Sequence, residues 1–582
     1  MQVKYSVVSL LLGTFSISIQ ATKPACDSPI YCHGDLLHAV QMAKLYPDDK
    51  TFVDKPTKKP EQEVLAAFST IGGIQASREQ LQAFVDENFG EEGSELKQID
   101  CLSELDLHPA FLTAVQDPLL RSFGLTVNGY LSTLIRKQDF SGLCEGCVSS
   151  MLPLKYQFVV PGGRFREIYY WDTYFTLEGI LRSGLKEMAK SNIRCLLDFV
   201  DIYGFVPNGA RSYYLDRSQP PLLTLMVKLY YEHTNDSEFV RQSMPLLIKE
   251  HQYWQENHAV VVNTPGGNVT LNRYIVDTDQ PRPESYSVDY ELAHNVSSDP
   301  LRQAVIYAEM AAGAESGWDY SSRWVRNTAV PADTFLNEIR TSLVVPVELN
   351  AILYQVEEIL AEFALLFKVP EDASKFKKLA ETRHRDMQTV FYDADTGLYY
   401  DYFLEESKRS TVFSPASVWP YWAFGKNSTG NSQRAFTYVS QTLKHNPGGI
   451  PVTLINSGQQ WDWPMAWPPL QYVTIQGALA TNNTVLANAL AQSYVNSVFC
   501  AWYNTGGSIP NVLNQLPGQT DLGHMFEKFN STDVGKQGGG GEYVVQAGFG
   551  WTNGVLLWAL DKFANVLKTP VCPGTQLNIV SK

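Results

Sequence analysis

Pro161-Gly162-Gly163-Arg164-Phe165-Arg166-Glu167-Ile168-Tyr169-Tyr170-Trp171-Asp172-Thr173-Tyr174 begins with a flexible Pro-Gly-Gly turn and ends in a crowd of aromatic rings, arginines and carboxylates. From Tyr174 the pattern changes: Leu177, Leu181, Leu185 and Met188 recur at steps of three and four, the spacing of one apolar helix face. A decorated loop thus feeds a helix, and the chain repeats that arrangement. Pro220-Pro221 opens the next helix, with Leu222, Leu225, Met226 and Leu229 on one side, and proline suits a helix start. The clearest stripe follows Pro346, where Leu349, Ile352, Val356, Ile359, Phe363 and Leu366 line up. Residues 301–315, 371–391, 467–479 and 543–566 also read as helices. No alternating run is long enough for a large sheet, and no repeat is visible in the sequence.

The chain has 582 residues, room for several domains or one large helical barrel. Lys plus Arg is 46 against 61 Asp plus Glu, a formal charge of −15, which disfavours nucleic acid as a partner. Mean hydropathy of −0.17 and 12% aromatic residues fit a soluble globule. Residues 1–21 read as a secretory signal: Lys4, then the short apolar core Val7 to Phe15, then small and polar residues. No later stretch reads as a membrane anchor, because Val555 to Leu560 is broken by Asp561 and Lys562. The expected compartment is extracellular. Six sequons agree with it: Asn235, Asn268, Asn295, Asn427, Asn482 and Asn530. So do 8 cysteines, whose pairing the sequence leaves open. Cys144-Glu145-Gly146-Cys147 lies in a glycine-rich loop with no βαβ pattern, so it reads as structural. Residues 22–100 read as an N-terminal extension wrapping a body at 101–567, with a tail at 568–582. Within the extension, Tyr46 to Lys50 reads as a turn, and the charged, proline-bearing residues 50–62 as solvated.

The chemistry concentrates in loops 155–173, 203–221, 270–290 and 504–543. Aromatic faces cover the apolar C–H patches of a sugar ring, and Arg, Asp and Glu make charge-assisted hydrogen bonds to its hydroxyls. The opening stretch has both, and Gln459-Gln460-Trp461-Asp462-Trp463-Pro464-Met465-Ala466-Trp467-Pro468-Pro469 repeats the mixture. Pro207 to Pro221 and Pro281 to Tyr286 add amide, guanidinium and hydroxyl groups; each alone is equally a solvated turn. Asp319, between Trp318 and Tyr320, is a candidate acid, because apolar surroundings raise a carboxyl pKa, though Asp also caps helices. Glu527 stands in Gly523-His524-Met525-Phe526-Glu527-Lys528-Phe529, ahead of the four glycines 538–541. Glycine in series suits a loop that closes on a ligand. Glu542 stands where a phosphate-binding loop needs Lys and Ser or Thr. No metal motif is seen and no cofactor is expected.

Both long motifs resemble those of the trehalases, an inverting family of glycosidases with an (α/α)6 barrel. The first match is Pro161 to Tyr174; the second is Gln460-Trp461-Asp462, Pro464, and Ala466-Trp467-Pro468-Pro469. The resemblance spans about residues 30–565 and is strongest with the soluble secreted animal form. It implies trehalose as substrate, Asp319 as general acid and Glu527 as general base. It implies sugar contacts from Arg164, Trp171, Asp172, Asn208, Arg217, Ser218, Gln219, Arg282, Glu284, Gly317 and Glu542, with Trp461 lining the same pocket. Two other readings stay open: an inverting glycosidase on the same scaffold acting on another α-glucoside, and a secreted sugar binder that has lost catalysis. The oligomeric state is not given by the sequence; a monomer is compatible with it. The Asn530 sequon lies three residues past Glu527, where a glycan would crowd the site, so Asn530 is expected to be unmodified.

Overall fold

Apolar content decides which helices go inside. Pro468–Ala480 and Gly550–Lys562 carry apolar or small residues on nearly every face, and almost all of each is buried. Ser432–His445 is one-sided instead, burying Ala435, Phe436, Val439 and Thr442. In the computed structural model, which describes residues 26–99, 105–428, 430–541 and 543–580, this difference sorts helices into two layers. The inner ring is Tyr170–Arg182, Leu223–Thr234, Val347–Leu366, Trp419–Phe424, Pro468–Ala480 and Gly550–Lys562, each packed on the next and the last on the first. Pro118–Tyr130, Lys186–Tyr203, Ser237–Asn257, Pro370–Val390, Ser432–His445 and Thr484–Asn504 form the outer layer. The fold is an (α/α)6 barrel.

Strand structure among the described residues is confined to four small sheets of two or three strands. One matters to the site: Phe529–Asn530 pairs antiparallel with Met465–Ala466, joining the two motif-bearing loops. The helix expected over 543–566 starts only at Gly550. Residues 543–549 run alongside 525–527 instead: Glu527 N donates to Gln546 O at 3.0 Å and Phe549 N to Met525 O at 3.0 Å. Backbone groups spent on that pairing cannot also close helical turns.

The N-terminal residues have their own core, with Ile30, Leu37, Phe52, Val64, Phe84 and Phe89 buried together. Tyr169, Tyr213, Tyr214 and Tyr286, all from motif-bearing loops, complete it. The expectation that 50–62 is solvated fails at its first half: Lys50, Phe52, Val53, Asp54 and Thr57 are buried. The charges have found partners. Lys50 Nζ lies 2.7 Å from Glu167 Oε1 and pairs with Asp54. Arg211 Nε reaches Glu167 Oε2 at 3.0 Å, and its NH1 reaches Glu95 Oε1 at 2.7 Å. Tyr213 donates to Asp54 Oδ1 at 2.7 Å. Lys50 and Arg211 together hold Glu167 down to about 2 against its burial, whereas burial and the Glu167 charge push Asp54 up. The cluster clamps the N-terminal helices to the 161–174 and 203–221 loops.

Disulfides join Cys26–Cys32, Cys144–Cys147 and Cys500–Cys572, and Cys195 is a buried thiol. Cys101 and the expected signal segment 1–21 lie outside the described residues. No described helix is long and apolar enough to cross a membrane.

Candidate active site

The site opens where three loops meet the inner ring. Its first wall is set by the end of helix Pro300–Ser316. Gly317 caps that helix at φ 69°, and a Cβ there would stand 3.0 Å from the Trp171 ring and 3.2 Å from Pro220. Only glycine satisfies both the turn and the close approach. The chain then places Asp319 at φ 37°, a conformation L-residues rarely adopt and one that needs support from its surroundings. Asp462 supplies much of it. Fully buried, it accepts from Ser322 N (2.8 Å), Ser322 Oγ (2.6 Å), Thr453 Oγ1 (2.7 Å) and Ser321 Oγ (3.2 Å), and from Ser457 Oγ. The residues after Asp319 are thereby tied to the segment bearing Gln460 and Trp461. Gln460 Nε2 and Trp461 Nε1 each donate to Asp319 Oδ2 at 3.2 Å.

Indole rings build the floor. Trp461 and Trp467 stack at 3.9 Å and 9°, and Trp171 stands 5.9 Å from Trp461. Trp467 Nε1 donates to Gln460 O and Trp551 Nε1 to Glu527 O, both at 2.9 Å, so each buried indole nitrogen is satisfied while its face stays apolar.

Glu527 stands on the third wall. Its Oε1 accepts from Tyr543 OH at 2.9 Å. Its Oε2 is buried with no hydrogen-bond donor among the described residues, and Lys528 Nζ stands 3.9 Å away. Burial pushes the Glu527 carboxyl above its ordinary value, opposed by Lys528, Tyr543 and Arg164. Asp172, in the first turn of Tyr170–Arg182, is pushed well up by burial and by the Glu527 and Asp319 charges.

The cavity holding these groups encloses about 640 Å³ of space between atoms, the solvent at its open mouth included. Asp319 and Glu527 both line it, as do Arg164, Trp171, Asp172, Asn208, Gln219, Arg282, Glu284, Gly317 and Trp461. Arg217 and Ser218 lie behind the wall. Arg217 is fully buried and pairs with Glu284 and with Asp216 (2.7 Å); Ser218 Oγ donates to Val206 O at 2.6 Å. Glu542 lies outside the described residues. The cavity arginines are themselves held by carboxylates. Arg282 grips Asp289 through Nε (2.8 Å) and NH2 (2.7 Å). Arg164 grips Asp48 through Nε and NH2, both at 2.6 Å, and lies 4.5 Å over the Tyr543 ring.

Several residues of the site escape a reading of the sequence. Tyr543 and Trp467 sit inside motifs whose other members were singled out, so proximity in the chain was the available signal. Asp48 and Asp49 read only as part of a turn. Yet Asp48 holds Arg164, and Asp49 accepts from Ser287 N at 2.6 Å beside Glu284, its carboxyl pushed up to about 6 chiefly by burial. Among the described residues no group of His, Cys, Asp and Glu is placed to hold a metal ion.

A family model described as Trehalase matches residues 44–564. The trehalase of Oryctolagus cuniculus is 41% identical over 579 residues, covering 98% of this chain and 95% of the relative. That of Homo sapiens is 41% identical over 565 residues (96% and 93%), and that of Bombyx mori 39% over 571 residues (96% and 95%). Among solved structures, neutral trehalase Nth1 from Saccharomyces cerevisiae aligns with a TM-score of 0.54 at 23% identity, over 70% of this chain and 75% of that one, a likeness of fold.

Proposed function

The chain belongs to the trehalase family, and from that premise we propose that it hydrolyses α,α-trehalose to two glucoses by a single displacement with inversion. The reading is carried by one observation: Asp319 and Glu527, distant in sequence, line the same aromatic-floored cavity. Asp319 donates a proton to the bridging oxygen as its bond to one anomeric carbon breaks. Glu527, through Oε2, takes a proton from the water that attacks that carbon from the opposite face. The attacked unit leaves as β-glucose and the other as α-glucose. A carboxyl separation of roughly 6.5–9.5 Å leaves space for the water. Burial suits Glu527 to this task, because a base raised toward the working pH takes a proton more readily while still ionised. The indole faces of Trp171 and Trp461 cover the sugar rings. Asn208, Gln219, Arg164, Arg282, Glu284 and Glu542 hold their hydroxyls, with Arg217 and Ser218 bracing Glu284 and the loop behind it. No cofactor enters these steps.

The same reading places the protein outside the cell, consistent with the three disulfides among the described residues and with the sequons. It divides the chain into signal 1–21, extension 22–100, barrel 101–567 and tail 568–582. Asp319→Asn and Glu527→Gln are each expected to fold yet lose at least about 100-fold in turnover of trehalose. Near-native glucose release by either variant would overturn that residue's role. Glucose release from maltose but not trehalose would overturn the substrate.

A further inference from the structure

Lys528 has no task in the chemistry above, although it stands between Gln460 and Glu527. It is fully buried, and its Nζ donates to Gln460 Oε1. It lies 3.9 Å from Glu527 Oε2, 4.8 Å over the Trp467 ring and 5.5 Å over that of Tyr543. An ammonium only donates, so the oxygen of the Gln460 amide must face it and the NH2 must face away. That NH2 reaches Asp319 Oδ2 at 3.2 Å, where Trp461 Nε1 also arrives at 3.2 Å. Two N–H groups arriving at Oδ2 fix that oxygen in place and favour the ionised carboxylate. Gly541 holds the amide from the other side: a Cβ there would stand 2.5 Å from Gln460 Oε1.

We propose that Lys528 is a positioning residue for both carboxyls, turning the Gln460 amide so that its NH2 meets Asp319 Oδ2 and keeping Glu527 ionised through its own charge. The inference rests on the trehalose-hydrolysing reading and deepens it. The charged and titratable groups around the two carboxyls include Lys528, Tyr543, Arg164, Arg282, Asp172 and Glu284. Burial pulls the Lys528 ammonium below the ordinary lysine value, while Glu527 and Asp319 push it back up. Removing its charge takes a stabilising partner from both carboxylates. Both pKa values then rise, and the whole bell of kcat/KM against pH moves to higher pH.

The test is that bell, measured on trehalose for the native protein, Lys528→Met and Gln460→Leu, with a melting curve for each. Lys528→Met is expected to shift both limbs up by roughly one to three pH units. It should lose at least tenfold in kcat near neutrality and recover part of it at higher pH, which a merely structural lesion would not do. Gln460→Leu keeps the ammonium, so its acid limb should stay and only the alkaline limb should rise. A Lys528→Met bell that coincides with the native one overturns the inference. If that variant fails to melt cooperatively, Gln460→Leu decides, and unmoved limbs overturn it. A native protein that releases no glucose from trehalose defeats the proposed function; an active one with unmoved bells defeats this inference alone.

Discussion

Glu167→Gln tests the clamp between the N-terminal helices and the catalytic loops. Glu167 accepts from Lys50, Tyr169 and Arg211, and all four residues are buried. The folded protein moves its carboxyl from 4.5 to about 2, which corresponds to about 3 kcal/mol of stability at neutral pH. The amide cannot answer two buried cations, and breaking a buried pair costs about 3–5 kcal/mol, in the same range. The sign follows from the direction of the shift. A carboxyl depressed on folding stabilises above its unfolded value, and that stability is lost as pH falls toward the folded value. Urea unfolding should therefore show the variant weaker by about 3 kcal/mol at pH 7, with the gap shrinking below about pH 4.5 to under half by pH 3. Loss of trehalose turnover should accompany it, because Glu167 belongs to the loop that presents Arg164 and Asp172. An unchanged midpoint at pH 7, or a gap that does not narrow in acid, would refute the reasoning.

Asp48→Ala should lower kcat/KM on trehalose by roughly 10- to 100-fold by releasing Arg164, since small misplacements of substrate-holding groups are costly. The pair is partly exposed, so urea stability should change by less than about 1 kcal/mol. Gly317→Ala should cost about 1–3 kcal/mol and displace Trp171, read as a lower urea midpoint and an altered tryptophan emission. Asn530 should carry no glycan when glycopeptides are mapped by mass. It stands three residues past Glu527 in a strand paired with Met465–Ala466, where a glycan on Nδ2 would crowd the site.

What the sequence discloses here is what lies close together along the chain. Trp171 and Asp172 follow Arg164 in one short stretch of chain, and Trp461 and Trp467 share another, so their convergence on one cavity could be anticipated from their chemistry. The helices Tyr170–Arg182 and Val347–Leu366 were legible from apolar residues at steps of three and four. Both are nonetheless buried on nearly every face, the stripe drawn over 174–188 runs across the break between Arg182 and Lys186, and Leu366 is exposed. The burial of Lys50 and Asp54 was not, because their partners Glu167 and Arg211 lie more than a hundred residues away and a charged stretch alone reads as solvated. Asp48 was hidden for the same reason. The late start of the last helix at Gly550 was set by tertiary pairing with 525–527, which no local propensity records. Lys528 looked like a neighbour of the base and became meaningful only once Gln460 stood between it and Asp319.

Asp319 and Glu527, as proposed, act on opposite faces of one glycosidic bond. Proton NMR of the glucose released from trehalose, recorded before mutarotation, tests this most directly. Inversion gives equal amounts of α- and β-glucose at the earliest times; α-glucose alone would mean retention and exclude it.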